Sequence, residues 1–542
     1  MNMLKKNFLP ILLVLIAGCS KDLLNVSPKN QLLESNYYKT TEELKAALIT
    51  AYDPISWTYC GPGSFHYGAS NFVNLNVASD DANAGGTPGG QDILAYQGAD
   101  KFDLLPSLQN IESIWFKYYT GIYRANLLLE KAAVSDTNAE IRAEAKFLRA
   151  YYYFDLVRYY GDVVLLDHTV SSDEYNLSRT PANEVYNFIV KDLIEAIPDL
   201  SEKNKLPKSE LFRATKSAGQ TLLGKVYLFM SSPANNFGNY YQNAANLFGS
   251  VIQSGIYSLQ HDYDMNFDVV HEHGTESIFE LEYTNTGAST FQVDPNTGYT
   301  TDEASVDAKL CGIRTWTQGA DKSVVNILPG WGFVKPAKEL VDAYVAEHDT
   351  VRLNYNIYLA DLIDTAPEIN GMFKFHLRQY GTWLATDEEA SSDYEGFFRR
   401  KYRYDASFVP VSDISILNTV IMRYADVLLM MAECMVNGAT DTRNGNTADY
   451  YVNEVRSRVK LPSLSAITMD DIKKERRLEF AFEMLRYWDL IRWGDADNVF
   501  SNYKPGKGYH WDPVKKGLWP IPLTEIDRTG GSITQNPGYV NE

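Results

Sequence analysis

In residues 139–162, "AEIRAEAKFLRAYYYFDLVRYYGD", the apolar residues Ala145, Leu148, Tyr152, Leu156 and Tyr159 recur at steps of three to four. That spacing builds one stripe along a helix, with Arg142, Lys146 and Arg149 on other faces, and Gly161 stops it. Similar amphipathic runs cover roughly 41–53, 106–133, 181–198, 214–231, 239–254, 335–346, 420–437, 446–459 and 468–493. They fall in neighbouring pairs, so the chain is predicted to be mostly α.

Within "RATKSAGQTLLGKVYLFMSS", residues 213–232, the spacing groups Ala218, Leu222, Lys225 and Phe229, and the run ends before Pro233. Small residues such as Ala214, Ala218 and Gly224 allow close approach of a partner helix, as in stacked hairpins of the tetratricopeptide type. No strict 34-residue repeat is visible, so any repeats have diverged. Long segments at 54–105, 284–334 and 365–418 are rich in Gly, Asn, Asp, Thr and aromatics. Loops of that length in a compact body usually carry function. A few short strands are expected, one of them in "ESIFELEY", 276–283.

The chain has 542 residues, 45% hydrophobic content and a formal net charge of -19. The acidity argues against nucleic acid, whose phosphates need a basic face, and against adhesion to anionic lipid. The 37 Tyr and 9 Trp exceed what a core needs, and rings with one wet edge are common on recognition surfaces.

The N-terminus supplies another attachment. Lys5 and Lys6 precede an apolar run from Phe8 to Gly18, too short for the ~30 Å hydrocarbon core of a bilayer. This is a secretory signal, and its end, Ile16-Ala17-Gly18-Cys19, resembles the bacterial lipobox. In such signals the chain is cut before the cysteine, which becomes acylated. Acyl chains contribute ~0.8 kcal/mol per buried CH₂, so two or three hold a soluble protein at a membrane. The expected layout is a signal at 1–18, a lipid-anchored tether at 19–40 and a body from Thr41. The other cysteines, Cys60, Cys311 and Cys434, lack metal-type spacing, so no metal is expected. Cys434 reads as a buried hydrophobe. Cys60 and Cys311 lie in loop-like sequence, and the expectation is that they do not pair.

Catalytic parts are scarce. "GQTLLGKV", 219–226, has P-loop glycine spacing, but Val226 stands where Ser or Thr must hold magnesium, and its periodicity is helical. "HEHGTE", 271–276, offers two histidines without a third placed ligand. Glu280 and Glu282 share a strand face, and an acid–base pair across a glycosidic bond would need convergence that i, i+2 neighbours seldom give. "DDANAGG", 80–86, lacks the later glutamate of a calcium loop and reads as a solvated turn. In "KKERRLEFAFEMLRYWDLIRWG", 473–494, the pairs Arg476/Glu479, Glu483/Arg486 and Asp489/Arg492 read as a helix surface, with Leu478, Phe482, Leu485 and Trp488 inward.

Nine stretches in order carry a resemblance: "CSKDLLNVSP", "IYRANLLLEKA", "AEAKFLRAYYYFDLVRYYGDVVLL", "GWGFVKPAKELVDAY", "MRYADVLLMMAE", "VNEVRSRVKLP", "ERRLEFAFEMLRYWDLIRW", "LWPIPLTEI" and "QNPGY". Together they resemble the SusD-like (RagB/SusD) surface lipoproteins of Bacteroidetes over almost the whole chain. The resemblance implies a right-handed array of four tetratricopeptide-like helix pairs with a loop-rich second region. It divides the body into an N-terminal helical region at 41–230 and a C-terminal region at 260–542. It also implies a role without catalysis or cofactor: a lid over a SusC-type TonB-dependent outer membrane transporter that catches oligosaccharides, or peptides in the RagB branch. "SKDLL" after Cys19 has one acid where surface-export signals of this phylum often have more.

A glycan site needs flat rings for C–H faces and polar groups for hydroxyls. The loops offer Trp57, Tyr96, Trp316, Trp331 and Trp383 as stacking candidates, with Asp81, Arg314 and Gln318 as polar partners. For each ring the alternative is a core position. A surface glycan hydrolase and a purely structural helical scaffold are the rival readings.

Overall fold

The computed structural model describes residues 37–58, 67–86, 92–171, 174, 177–284, 305–322, 326–360, 369, 371–383, 395–406, 415–502 and 509–540. The first helix, α1 (Thr41–Tyr52), begins where Thr40 and Glu43 close a capping box that satisfies free amides at its N-terminus. An excursion follows, holding α2 (Asn71–Val77), β1 (Ala82–Gly85) and α3 (Leu94–Lys101). The array then runs through α4 (Gln109–Lys131), α5 (Ala139–Tyr160), α6 (Ala182–Ala196), α7 (Lys216–Ser231) and α8 (Tyr241–Gln253).

A longer excursion carries β2 (Ser277–Leu281), α9 (Asp307–Leu310), β3 (Trp316–Gln318), β4 (Phe333–Pro336), α10 (Lys338–Ala346) and α11 (Thr350–Asn356). It continues through β5 (Ile357–Leu359), β6 (Gly381–Trp383), β7 (Phe397–Arg399) and β8 (Thr419–Arg423). The chain returns to the array at α12 (Tyr424–Val436), α13 (Ala448–Arg458) and α14 (Met469–Glu479), and ends with α15 (Arg486–Trp493), α16 (Ala496–Asn502) and α17 (Leu523–Arg528).

The paired helices stack in sequence: α1 on α4, α4 on α5, α5 on α6, α7 on α8 and α12 on α13. α8 packs directly on α12 although the long excursion separates them. The fold is therefore mostly α, a tetratricopeptide-like array with loop-rich insertions, as the periodicity predicts. Close approach depends on glycines at two crossings. A Cβ on Gly121 would lie 2.3 Å from the Tyr152 ring, and one on Gly224 would lie 2.4 Å from Phe248. The P-loop-like stretch is thus a packed helix, and its Lys225 is ion-paired with Asp426 at 2.8 Å.

One hydrophobic core runs from Leu44 to Ile533. Because α5 has neighbours on several sides, polar residues off its apolar stripe, Arg149 and Glu144 among them, are buried as well. Arg149 meets Asp192 through two hydrogen bonds of 2.7 and 2.8 Å, and Glu144 accepts from Tyr52 at 2.5 Å and from Arg213. Buried ions persist only when partners of this kind replace water.

The run 468–493 also departs from expectation. The helix stops at Glu479, and Phe482 and Met484 take positive φ of 64° and 62° before α15 resumes. Glu479, at the end of that helix, and Glu483, within the break, both point inward instead of along a helix surface. Glu479 accepts from Arg423 at 2.5 Å and Arg352 at 3.0 Å and also pairs with Arg458, while Glu483 meets Lys401 at 2.5 Å and Arg423 at 2.7 Å. Arg476 pairs with Asp426 and Asp489 rather than with Glu479. Burial pushes the Glu479 carboxyl up, but its three guanidiniums outweigh that and hold it well below the usual carboxylate range.

The strands form two-stranded antiparallel pairs among the described residues: β1–β4, β2–β8, β3–β6 and β5–β7. The β1–β4 pair joins the two excursions, with Asn83 opposite Lys335 and Gly85 opposite Phe333. "DDANAGG" is thereby part of a buried strand and not a solvated turn. Asp80 meets Arg486 at 2.7 Å, and Asp81 meets Arg477 at 2.7 Å. Cys434 and Cys311 are buried free thiols, whereas Cys60, Cys19 and the tether up to residue 36 lie outside the described residues.

Candidate functional site

The meeting of the two excursions brings an aromatic cluster together near the expected residues. Gly330, Trp331 and Gly332 pass so close to other backbone that side chains are excluded on either side of the ring. A Cβ on Gly330 would lie 2.4 Å from Gly312 Cα, and Gly332 has φ of 80°. Opposite, Gly86 N–H donates to the Gly332 carbonyl at 2.9 Å, and a Cβ on Gly85 would lie 2.3 Å from that oxygen. Trp331 is therefore held by its backbone while its side chain stays half-buried.

Around the indole stand Tyr67, edge-on with centroids 5.1 Å apart, and the Lys309 ammonium, 5.7 Å from the ring centroid. Arg314 donates to the Trp331 carbonyl at 3.1 Å and to Asp92 Oδ2 at 2.7 Å. The cluster thus presents an aromatic pair, an ammonium and a guanidinium–carboxylate pair at one place. Flat rings take the C–H face of a sugar, and the charged groups take its hydroxyls. Tyr67, Lys309 and Asp92 were not picked out from sequence, where each is one residue of a Gly- and aromatic-rich stretch.

The remaining expected residues have other positions. Tyr96 is fully buried, its hydroxyl donating to the Tyr67 carbonyl and its ring edge-on to Phe333. Trp316 belongs to a small core with Ile313, Tyr358, Leu377 and Phe398. Gln318 accepts from the Trp316 indole at 3.3 Å and from Ile327 N–H at 3.0 Å, and its amide donates to the Tyr380 carbonyl at 3.2 Å. The backbone of Trp383 pairs with that of Trp316, and the Trp383 side chain lies outside the described residues. Trp57 is buried against Phe116, with the Arg124 guanidinium 5.1 Å from its ring centroid. Asp81 is buried on Arg477. Arg314 and Trp331 are brought together, and Trp316, Gln318 and Trp383 form a second group on β3–β6. Trp57 and Asp81 stand apart from both, and Tyr96 lies buried against the first group through the Tyr67 carbonyl.

Glu280 and Glu282 flank His273, whose ring nitrogens lie 3.6 and 3.4 Å from them. Glu272, pushed up to about 7 chiefly by burial, accepts from Asn418 N–H at 2.8 Å. Among the described residues no group of three or more His, Cys, Asp or Glu side chains has the arrangement of a metal site. No helix among the described residues is long and apolar enough to cross a membrane.

Comparison with known proteins gives the same architecture. A family model described as the SusD family matches residues 275–539, and a second, described as starch-binding and associating with the outer membrane, matches 96–228. SusD-like protein P2 of Formosa agariphila is 26% identical over 567 residues, spanning 99% of this chain and 100% of the relative. A laminarin-binding SusD-like protein of known structure is 30% identical with a TM-score of 0.75, covering 93% of this chain and 100% of its own. Surface glycan-binding protein A from Bacteroides thetaiotaomicron, solved with laminarihexaose, is 26% identical with a TM-score of 0.74, covering 92% and 100%. With helix array, insertions and sequence all in register, this chain belongs to the SusD family.

Proposed function

We propose that the protein is a non-catalytic lipoprotein of the outer membrane that binds oligosaccharides and passes them to a SusC-type TonB-dependent transporter. The observation that carries the reading is the half-buried Trp331, set between Tyr67, Lys309 and the Arg314–Asp92 pair. One similar structure is of a laminarin-binding protein and another is a complex with laminarihexaose, which makes a neutral glucan the first candidate here. Cys19, in its lipobox-like setting, supplies the anchor, and the outer surface of the outer membrane is the expected location.

Calorimetry with laminarihexaose, a maltooligosaccharide and a xylooligosaccharide tests the reading. At least one should bind, and Trp331→Ala should weaken it by tenfold or more, about 1.4 kcal/mol. Undiminished affinity in that variant would remove the site. New reducing ends released by the purified protein would remove the non-catalytic assignment. Loss of palmitate labelling in Cys19→Ala, with release of the protein from membranes, tests the anchor.

A further inference from the structure

A second cleft lies on the flank of the helix array, apart from Trp331. Its volume is about 480 Å³, within the range of small-molecule pockets. One wall is a face of α4, where Glu112, Trp115, Tyr119 and Tyr123 succeed one another at helical spacing. The opposite wall comes from the segment after α5, including Val164 and Leu177, and the end is closed by Glu525 and Arg528 of α17. On α4 the stripe through Ile111, Ile114, Tyr118 and Ile122 faces the core, Trp115 belongs to that core and Tyr119 packs against it, which leaves Tyr123 as the exposed ring of the wall.

The rings are held in place. Tyr119 donates its hydroxyl to the Val164 carbonyl at 2.8 Å, Trp115 packs 4.8 Å from the Tyr119 ring, and Phe116, also in the cleft, stacks on Trp57. Tyr123 is 51% exposed at the mouth. Polar groups remain for a ligand. Glu112 lines the cleft beside the buried Trp115. Glu525 meets Arg528 at 2.7 Å. Burial raises its carboxyl and the nearby Glu112 raises it further against the pull of Arg528, so it accepts hydrogen bonds readily.

We infer that this cleft is a second sugar site that takes one or two units of a neutral saccharide, stacked on the Tyr119–Tyr123 side and hydrogen-bonded by Glu112, Glu525 and Arg528. An acidic ligand is disfavoured by three carboxylates, Glu112, Glu174 and Glu525, against one guanidinium and by the net charge of -19. An apolar ligand would leave those carboxylates without partners once water is expelled. A second grip on the same glycan-binding protein would raise retention of a long chain through effective concentration.

Equilibrium dialysis with maltose, laminaribiose, cellobiose and xylobiose tests this on the wild type, Trp331→Ala, Tyr123→Ala and the double variant. Tyr123 is exposed, so its loss leaves the core intact. The wild type should bind two equivalents of at least one disaccharide, Tyr123→Ala one, and the double variant none. Glu112→Gln should weaken the same equivalent by about tenfold. Two equivalents retained by Tyr123→Ala, or a wild type that binds one equivalent lost only in Trp331→Ala, would overturn the second site. Two equivalents in Trp331→Ala and one in Tyr123→Ala would overturn the Trp331 reading and leave this one standing. No binding of any disaccharide would overturn both.

Discussion

Lys225 Nζ lies 2.8 Å from Asp426 Oδ2, with both side chains buried between α7 and α12. The contact joins a helix before the long excursion to the helix after it, and it occupies the lysine that mimics a phosphate-binding loop. Burial raises the Asp426 carboxyl, but Lys225 and Arg476 together hold it well below the usual range. Replacing Lys225 with Met leaves Arg476 as the remaining partner of a buried carboxylate. Lys225→Met should lower the unfolding free energy by about 3 kcal/mol. The urea midpoint measures it, and a midpoint equal to wild type would contradict the buried pair.

Asp307 predicts a pH dependence of stability. Burial pushes its carboxyl up to about 6, against the Ser70 hydrogen bond and the Lys117 and Arg399 charges, which lower it. The folded state therefore holds this proton more tightly than the unfolded chain, where the group titrates near 4. Its contribution favours folding progressively as pH falls from above 6 toward 4, and it is a cost at pH 8. Asp307→Asn removes that cost and should stabilise the protein by on the order of 2 kcal/mol at pH 8 and by little at pH 4. Thermal melts of both proteins across that range decide it. An equal shift at both pH values would show that the carboxyl is not perturbed.

Gly85 and Gly332 set the position of Trp331. Gly85→Ala places a methyl 2.3 Å from the Gly332 carbonyl at a residue with φ of 68°. The variant should lose about 2 kcal/mol of stability and bind glycan more weakly, because the backbone carrying Trp331 must move. Gly255→Ala is the control: its φ is 65°, and nothing lies within 4 Å of the added Cβ. It should cost about 1 kcal/mol and leave binding unchanged. Equal binding losses in the two variants would rule out a local effect.

Arg314 reaches two acceptors at once, the Asp92 carboxylate and the Trp331 carbonyl. Arg314→Ala should weaken glycan binding by about tenfold. Arg314→Lys should recover only part, since one ammonium cannot reproduce the planar fork. Full activity of the lysine variant in calorimetry would show that charge alone matters there.

The helices of the array were readable because their signals are local. The stripe in 139–162 matches α5 (Ala139–Tyr160). The break after Glu479 was not readable. The carboxylates on either side of it, Glu479 and Glu483, meet Arg423, Arg458, Arg352 and Lys401, which come from elsewhere in the chain. In the same way Arg149 reads as an outward charge until α6 brings Asp192 against it.

Helix periodicity depends on neighbours within a few residues, and for this protein the chain order alone was enough to place the helices of the array. Whether a loop ring is a binding surface or a core filler depends on which remote segment lands on it. Tyr96 meets Phe333 and is covered, whereas Trp331, only two positions before Phe333, stays half-buried where glycines let β1 pass close to its backbone. Burial is a property of packed segments and not of residue type, so the pairing of the two excursions, and with it the site, was decided in three dimensions.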